Sequence, residues 1–124
     1  MKRDLDLIRK ILLEIESWPA GIHNQGVVIE GYSHEDITHN AMLLHDAGYI
    51  EAIVSRTTTG NSIYPRKLTW EGYEFLDEAR DKTVWKKAKK ATEQVGTTSL
   101  AIFRTILTRV ASSELEQVLN SLNG

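Results

Sequence analysis

The sequence lacks cysteine altogether and has only two prolines among its 124 residues. Without cysteine, the chain has no disulfide, no thiolate nucleophile and no cysteine-ligated zinc or iron–sulfur site. Long apolar runs are missing too, so the sequence predicts neither a membrane span nor a signal-peptide core. We therefore expect a cytoplasmic protein with no membrane partner.

The chain also lacks a large excess of charge of either sign. It has 15 Lys and Arg against 17 Asp and Glu, a formal net charge of -2, so no overall basic field attracts nucleic acid. Hydrophobic residues make up 41% of the chain, which is enough to form the core of one ordinary globular domain. A two-domain enzyme is not expected at this length.

Recognisable catalytic and metal-binding motifs are absent as well. His34 and His45 project to similar sides of one predicted helix, but about three turns separate them, too far to share an ion. His39 points elsewhere, and His23 lies in a predicted loop. The sequence has no glycine-rich phosphate loop and no Gly-x-Ser-x-Gly. We expect no catalytic residue, no metal site and no cofactor.

Hydrophobic periodicity predicts a helix, a short strand and a second helix in the first half of the chain. The first helix ends at Trp18-Pro19, because proline disfavours helical geometry in the residue before it. Val27–Ile29 is a β-branched run that predicts the short strand. Ser33 is the expected N-cap of the second helix, and Gly48 its left-handed end. The helical projection leaves one line of this helix exposed, consisting of Glu35, His39, Met42 and Asp46.

A hairpin and a third helix follow. Two β-rich runs, residues 50–54 and 63–68, predict the hairpin, and Pro65 must lie at an edge or a bulge because it cannot donate to the ladder. Thr69 is the expected cap of a helix that ends near Arg80. The residues of this helix expected to face inward are Trp70, Tyr73, Phe75 and Leu76.

Residues 81–124 predict further helices. Gly96 separates a fourth helix from a fifth, and the capping-box spacing of Ser113 and Glu116 predicts a break before a last helical segment. We expect residues 1–80 to form the core and residues 81–124 to form a helical extension packed on it, within a single domain.

The fifth helix is more apolar than one small core requires. Part of its surface must pack within the chain, and the rest predicts burial against a second copy, with monomeric packing as the alternative. The stripe expected to mediate a homodimer consists of Phe103, Ile106, Leu107 and Val110.

Two segments resemble characteristic parts of a winged-helix domain. Leu-His-Asp-Ala-Gly-Tyr-Ile at 44–50 resembles the L-x-x-A-G-L-I end of a recognition helix, and Leu-Thr-Trp-Glu-Gly at 68–72 resembles the L-T-x-x-G that follows the second wing strand. The order of predicted elements is also that of a winged helix. The resemblance implies an α+β fold with a winged-helix-like core and a C-terminal helical extension. It departs from the pattern where a positioning helix is expected, since only Glu30–Tyr32 separate the short strand from Ser33.

The opening residues 1–9, together with residues 68–76 and 83–85, resemble more narrowly a bacterial and phage family, domain of unknown function 2513. This resemblance covers most of the chain. It implies a fold and a phage or mobile-element setting, but no activity and no functional residues.

Charge along the chain separates two hypotheses on function. Residues 30–51 contain five acidic residues and no Lys or Arg, which opposes contact between the second helix and a phosphate backbone. On that helix Asn40 could still read adenine. The cations expected to contact DNA are on the hairpin and the fourth helix, namely Arg56, Arg66, Lys67, Lys86 and Lys87. Solvated surface charge is the alternative interpretation of both groups.

The leading interpretation is a non-enzymatic, regulatory winged-helix protein that binds DNA, because the fold resemblance favours nucleic acid. The alternative is a protein-interaction module on the same scaffold, favoured by the acidic second helix. In that case the docking surface is the exposed line defined above, since the unbranched Met42 adapts to irregular partners.

Overall fold

The structure is a computed structural model that describes residues 3–19, 26–97 and 99–123. This part of the chain contains five helices and a two-stranded antiparallel sheet. In chain order the elements are α1 (Leu5–Ser17), α2 (His34–Asp46), β1 (Ile50–Thr57), β2 (Gly60–Leu68), α3 (Trp70–Ala79), α4 (Lys82–Val95) and α5 (Leu100–Asn123). The arrangement confirms the α+β class and is consistent with a winged-helix-like core.

None of the helices within the described ranges is both long enough and apolar enough to cross a bilayer. The chain divides into two compact units, residues 1–76 and 77–124, so the boundary falls inside α3. Packing of residues 81–124 on the rest of the chain stays a prediction.

Helix α1 supplies the centre of the first unit. Its N-cap Asp4 accepts a hydrogen bond from the Leu7 amide at 3.0 Å, and it ends at Trp18, as predicted from the following proline. The face that α1 turns inward packs against α2 and β2. The buried aliphatic side chains of this face are Leu7, Ile8, Ile11, Leu12 and Ile15. Burial of each one contributes about 1.5–3 kcal/mol to folding.

Helix α2 begins and ends as predicted. The Ser33 hydroxyl accepts from the Asp36 amide at 3.1 Å. At the other end, Gly48 has a φ of 84°, and the amide of Tyr49 donates to the carbonyl of Leu44 at 2.9 Å. This is a Schellman ending, in which a left-handed glycine lets the chain reverse direction.

The hairpin pairs Ile50 with Leu68 at its base and Thr57 with Gly60 at its tip. Its register shifts once, where Glu51 pairs with Lys67 and the next residue pairs with Pro65. Arg66 is therefore the extra residue of a β-bulge, which confirms the predicted irregularity at the proline.

The short strand predicted at Val27–Ile29 is wrong, because these residues have no ladder partner. Val27 is nevertheless buried and lines a small cavity with Ile63 and Pro65. Pro65 has no amide hydrogen to offer a third strand, which gives a physical reason for the missing ladder. Residues 26–33, the described part of the connection, contain no positioning helix.

Helix α3 is rotated relative to the prediction. Phe75 and Leu76 are fully buried as expected, but Trp70 is 76% exposed and Tyr73 is 44% exposed. The inward face contains Gly72 instead. The hydroxyl of Thr69 accepts from the Gly72 amide and donates to the carbonyl of Gly48, and these bonds set the rotation of the helix.

The second unit contains α4 and α5, which pack against each other. Asp81 caps α4 through two amide hydrogen bonds, and Gly96 ends it with a φ of 78°. The break predicted at Ser113 and Glu116 is wrong, because α5 runs continuously to Asn123. Ser113 and Glu116 can also be accommodated in a helix interior, so a capping-box spacing alone does not interrupt a helix.

Candidate functional site

A groove of about 500 Å³ lies between α2 and the hairpin in the first unit. Helix α2 contacts both strands, so the hairpin covers one side of the helix. We call this feature the α2–hairpin groove. Its lining residues are His34, Glu35, Thr38, His39, Met42, Leu43 and Asp46 from α2 and Arg56, Gly60 and Asn61 from the hairpin.

The four residues predicted for protein docking all line this groove. Glu35 and Asp46 are exposed and His39 is half-buried. Met42, however, is only 9% exposed, so its predicted exposure is wrong. The helical projection placed it away from the α1 side, but the hairpin packs against that side as well. Met42 is therefore part of the groove wall and not a projecting side chain.

An ion pair joins the helix to the hairpin at one end of the groove. The Arg56 guanidinium donates to the Asp46 carboxylate at 3.2 Å, and both side chains are more than half exposed. His45 Nδ1 lies 3.3 Å from the same carboxylate oxygen. Glu35, which lies toward the start of α2, forms no ion pair with any described residue.

The histidines do not form a metal centre within the described ranges, where no three His, Asp or Glu side chains come together. His34 Nε2 lies 3.5 Å from the Thr38 hydroxyl. His34 and His39 both line the groove, whereas His23 lies outside the described residues. The arrangement can offer hydrogen bonds and charge to a ligand.

Asn40 is a correction to the DNA-binding prediction. Its side chain is fully buried. Its Nδ2 donates to the carbonyl of Asp36 at 2.9 Å, and its Oδ1 accepts from the amide of Asp4 at 2.9 Å. The flank of α2 that looked free in projection is covered by the start of α1. Asn40 therefore links the two helices and cannot reach a base edge.

The hairpin cations predicted for DNA are partly engaged with carboxylates. Arg56 pairs with Asp46, and Lys67 Nζ lies 3.4 Å from a Glu51 oxygen. Arg66, the bulge residue, has no ion pair with a described residue and lines a second cavity of about 540 Å³ near the base of the hairpin. Lys67 lines that cavity too, together with Trp18.

Lys86 and Lys87 lie on α4 in the second unit, and both are exposed. Lys87 forms an ion pair with Glu114 of α5. Lys86 forms none with the described residues. Three of the five predicted cations are thus paired within the chain, and the other two form no ion pair with a described residue.

The predicted dimer stripe is largely used inside the second unit. Phe103 and Leu107 are fully buried, and the Phe103 ring meets Trp85 edge-on with centroids 5.1 Å apart. Ile106 and Val110 are half-buried. The assignment of Phe103 and Leu107 to an interface between copies is therefore wrong, because α4 already covers them.

Four apolar residues in the second half of α5, which the sequence pattern assigned to a separate last helical segment, remain exposed. They lie about one to three turns beyond Val110, after the position of the predicted break. Their exposed fractions are 57% for Leu115, 55% for Val118, 47% for Leu119 and 77% for Leu122. We call these four residues the α5 stripe. The continuing helical spacing was the signal that could have identified it.

Comparison with known families agrees with the resemblance seen in the sequence. The family model described as a hypothetical protein, DUF2513, matches residues 2–99. The chain belongs to this family. An uncharacterised protein of Haemophilus influenzae is 35% identical over 123 residues, which cover 96% of this chain and 99% of the relative. No solved structure matches. The DUF2513 match ends before α5 begins, whereas the Haemophilus alignment includes most of that helix.

Proposed function

We propose that this DUF2513 protein is a non-enzymatic binding protein that recognises a basic segment of a protein partner in the α2–hairpin groove. The observation that carries the proposal is the Asp46–Arg56 ion pair beside an acidic helix. A winged helix that reads DNA places the corresponding helix in the major groove. Here the corresponding helix, α2, is acidic. Arg56, which the hairpin contributes to the groove, is held by the carboxylate of Asp46.

Charge argues against duplex DNA at this surface. Glu35, Asp36 and Asp46 are exposed on α2, and residues 30–51 contain no Lys or Arg. A DNA duplex has one negative charge per about 1.7 Å of its axis. Bringing the two together would oppose like charges at both ends of α2, so the surface favours a cationic partner.

The groove suits lysine or arginine side chains in particular. Met42 and Leu43 offer an apolar wall for an aliphatic stem, while Glu35 and Asp46 accept from the charged head. The Asp46–Arg56 pair is exposed, and such pairs contribute roughly 0–1 kcal/mol, so a cation of the partner can displace Arg56.

The spacing of the two carboxylates limits the partner further. Glu35 and Asp46 are eleven residues apart on a helix, which corresponds to about 16 Å along the axis. An extended peptide rises about 3.3 Å per residue. We therefore expect a partner segment with two basic residues about five positions apart.

Fluorescence anisotropy of a labelled peptide with two arginines about five positions apart tests the proposal. We expect the full-length protein to bind it, and Glu35→Lys with Asp46→Lys to abolish binding. Glu116→Lys with Glu93→Lys, which makes the same change in net charge on the second unit, is the matched control and should bind as wild type does. Equal loss in both double variants, or no binding by the wild type, would contradict the groove as the site.

We also propose that the protein is a homodimer through the α5 stripe. The stripe is bordered mainly by uncharged polar residues, including Gln117, Asn120 and Ser121. An antiparallel contact that places Leu115 opposite Leu122 and Val118 opposite Leu119 of a second copy brings Glu116 opposite Ser121, so like charges do not meet. An isologous contact of this kind closes on itself. A second copy is therefore the partner that this surface fits.

A further inference from the structure

Helix α4 presents three lysines in a line, Lys82, Lys86 and Lys90. They are four residues apart and therefore lie above one another on the same side of the helix, about 6 Å apart along its axis. All three are exposed, and they lie opposite the side on which Trp85 and Ala88 are buried. We call them the lysine ridge.

Unlike five other cations of the protein, the lysine ridge has no carboxylate partner among the described residues. Neither Lys82, Lys86 nor Lys90 forms an ion pair with a described residue. Elsewhere such pairs are common: Arg56 with Asp46, Lys67 with Glu51, Arg80 with Asp77, Lys87 with Glu114 and Arg104 with Glu78. Like charges spaced by four residues also destabilise a helix. The ridge is therefore a concentration of uncompensated positive charge.

We propose that the lysine ridge binds the phosphate backbone of duplex nucleic acid without reading its sequence. Three ammonium groups over about 12 Å of helix can each neutralise one phosphate. Lysine is a compact point charge without the planar fork that arginine uses for bidentate base recognition. The ridge thus supplies affinity and no specificity, and it belongs to a different unit from the α2–hairpin groove.

The surroundings of the ridge favour a duplex over other polyanions. Single strands are held by bases that stack on exposed aromatic rings, and the aromatic residue of α4, Trp85, is only 4% exposed. An interfacial helix needs a free apolar face to enter lipid, whereas the apolar face of α4 packs on α5. A duplex backbone requires neither feature.

Counterion release predicts how strongly the binding constant depends on salt concentration. Each neutralised phosphate contributes about -0.9 to the slope of log K against log salt. Three lysines predict a slope of about -2.7, which means about 40-fold weaker binding at 200 mM than at 50 mM salt. Loss of one lysine should reduce the slope to about -1.8.

Anisotropy of a labelled, random-sequence duplex in a salt titration is the experiment. We expect full-length wild type to show the slope given above, Lys86→Gln to show the reduced slope, and Lys82→Gln, Lys86→Gln and Lys90→Gln together to abolish binding. The matched control is Lys67→Gln, Arg80→Gln and Lys87→Gln, which removes the same charge from paired cations and should retain the wild-type slope. Glutamine keeps helix propensity at these exposed positions, and circular dichroism confirms folding.

Two results would overturn the proposal. One is an equal loss in the ridge and control triple variants, which would assign the effect to net charge. The other is preferential binding to vesicles that contain phosphatidylserine, with no binding to the duplex at 50 mM salt. The Lys86→Gln slope keeps the test valid should the triple variant fold poorly.

Discussion

Gly72 lies directly against the carbonyl oxygen of Tyr49, so close that a Cβ at position 72 would overlap it. The same carbonyl accepts from the Thr69 amide at 3.1 Å, and the Thr69 hydroxyl donates to the carbonyl of Gly48 at 2.6 Å. The end of α2 and the start of α3 are thus bonded to one another. The two sequence segments that resemble winged-helix motifs therefore contact each other. The first segment supplies the carbonyls of Gly48 and Tyr49, and the second supplies the Thr69 hydroxyl and the close approach of Gly72.

This contact predicts that Gly72→Ala destabilises the protein, although alanine is the better helix former. The added methyl group must displace the Tyr49 backbone, and overpacking of this kind costs about 1–3 kcal/mol. Urea denaturation measures the change in the free energy of unfolding. Gly26→Ala is the control, because no atom lies within 4 Å of the added Cβ. A Gly72→Ala protein as stable as wild type would contradict the contact.

The sequence predicted the element order well, because helix caps and left-handed glycines act locally. Ser33, Gly48 and Gly96 all hold the positions expected of them. Errors arose where a distant segment decides the environment. Met42 is covered by the hairpin and Asn40 by the start of α1, and neither contact has a signature in the sequence around α2.

The candidate site was predicted in part for the same reason. The acidic character of α2 follows directly from composition, so Glu35 and Asp46 were identified. Their arrangement around a groove depends on the hairpin tip, which only the fold places beside α2. The Asp46–Arg56 pair joins α2 to the hairpin. Charge counting along the chain assigned Asp46 to an acidic segment and Arg56 to a group of cations, so it did not indicate that the two residues pair.

Asn40 predicts a second stability effect. Asn40→Ala leaves the Asp4 amide without its side-chain acceptor and removes a bond to the Asp36 carbonyl. A buried polar group that loses its partner costs about 1–3 kcal/mol, and we expect a loss of that size in chemical denaturation. Thr38→Ala, two residues earlier on α2, is the control and should change stability by less than about 0.5 kcal/mol. Equal effects of the two substitutions would show that Asn40 is not a structural link.

The Asp46–Arg56 pair should contribute little to folding. Both side chains are more than half exposed, so a double-mutant cycle with Asp46→Asn and Arg56→Gln should give a coupling of about 0.2–1 kcal/mol. Salt at about 1 M shortens the screening length to about 3 Å and should remove most of this coupling energy. A coupling above about 2 kcal/mol that persists in salt would mean that the pair locks the groove. A partner cation could then not displace Arg56.

The α5 stripe predicts which substitutions dissociate the proposed dimer. Leu115→Gln with Leu119→Gln removes apolar surface from the half of α5 that carries the stripe and keeps helix propensity, so it should yield a monomer with wild-type folding. Ile102→Gln, on the same helix and 46% exposed, is the matched control and should remain dimeric. Phe103→Ala should behave differently from both, because it removes the ring packed on Trp85 and so destabilises the second unit by about 3–5 kcal/mol. Sedimentation equilibrium over the micromolar range separates these outcomes. A monomeric wild type would exclude the dimer, and dissociation by Ile102→Gln alone would place the contact on the first half of the helix.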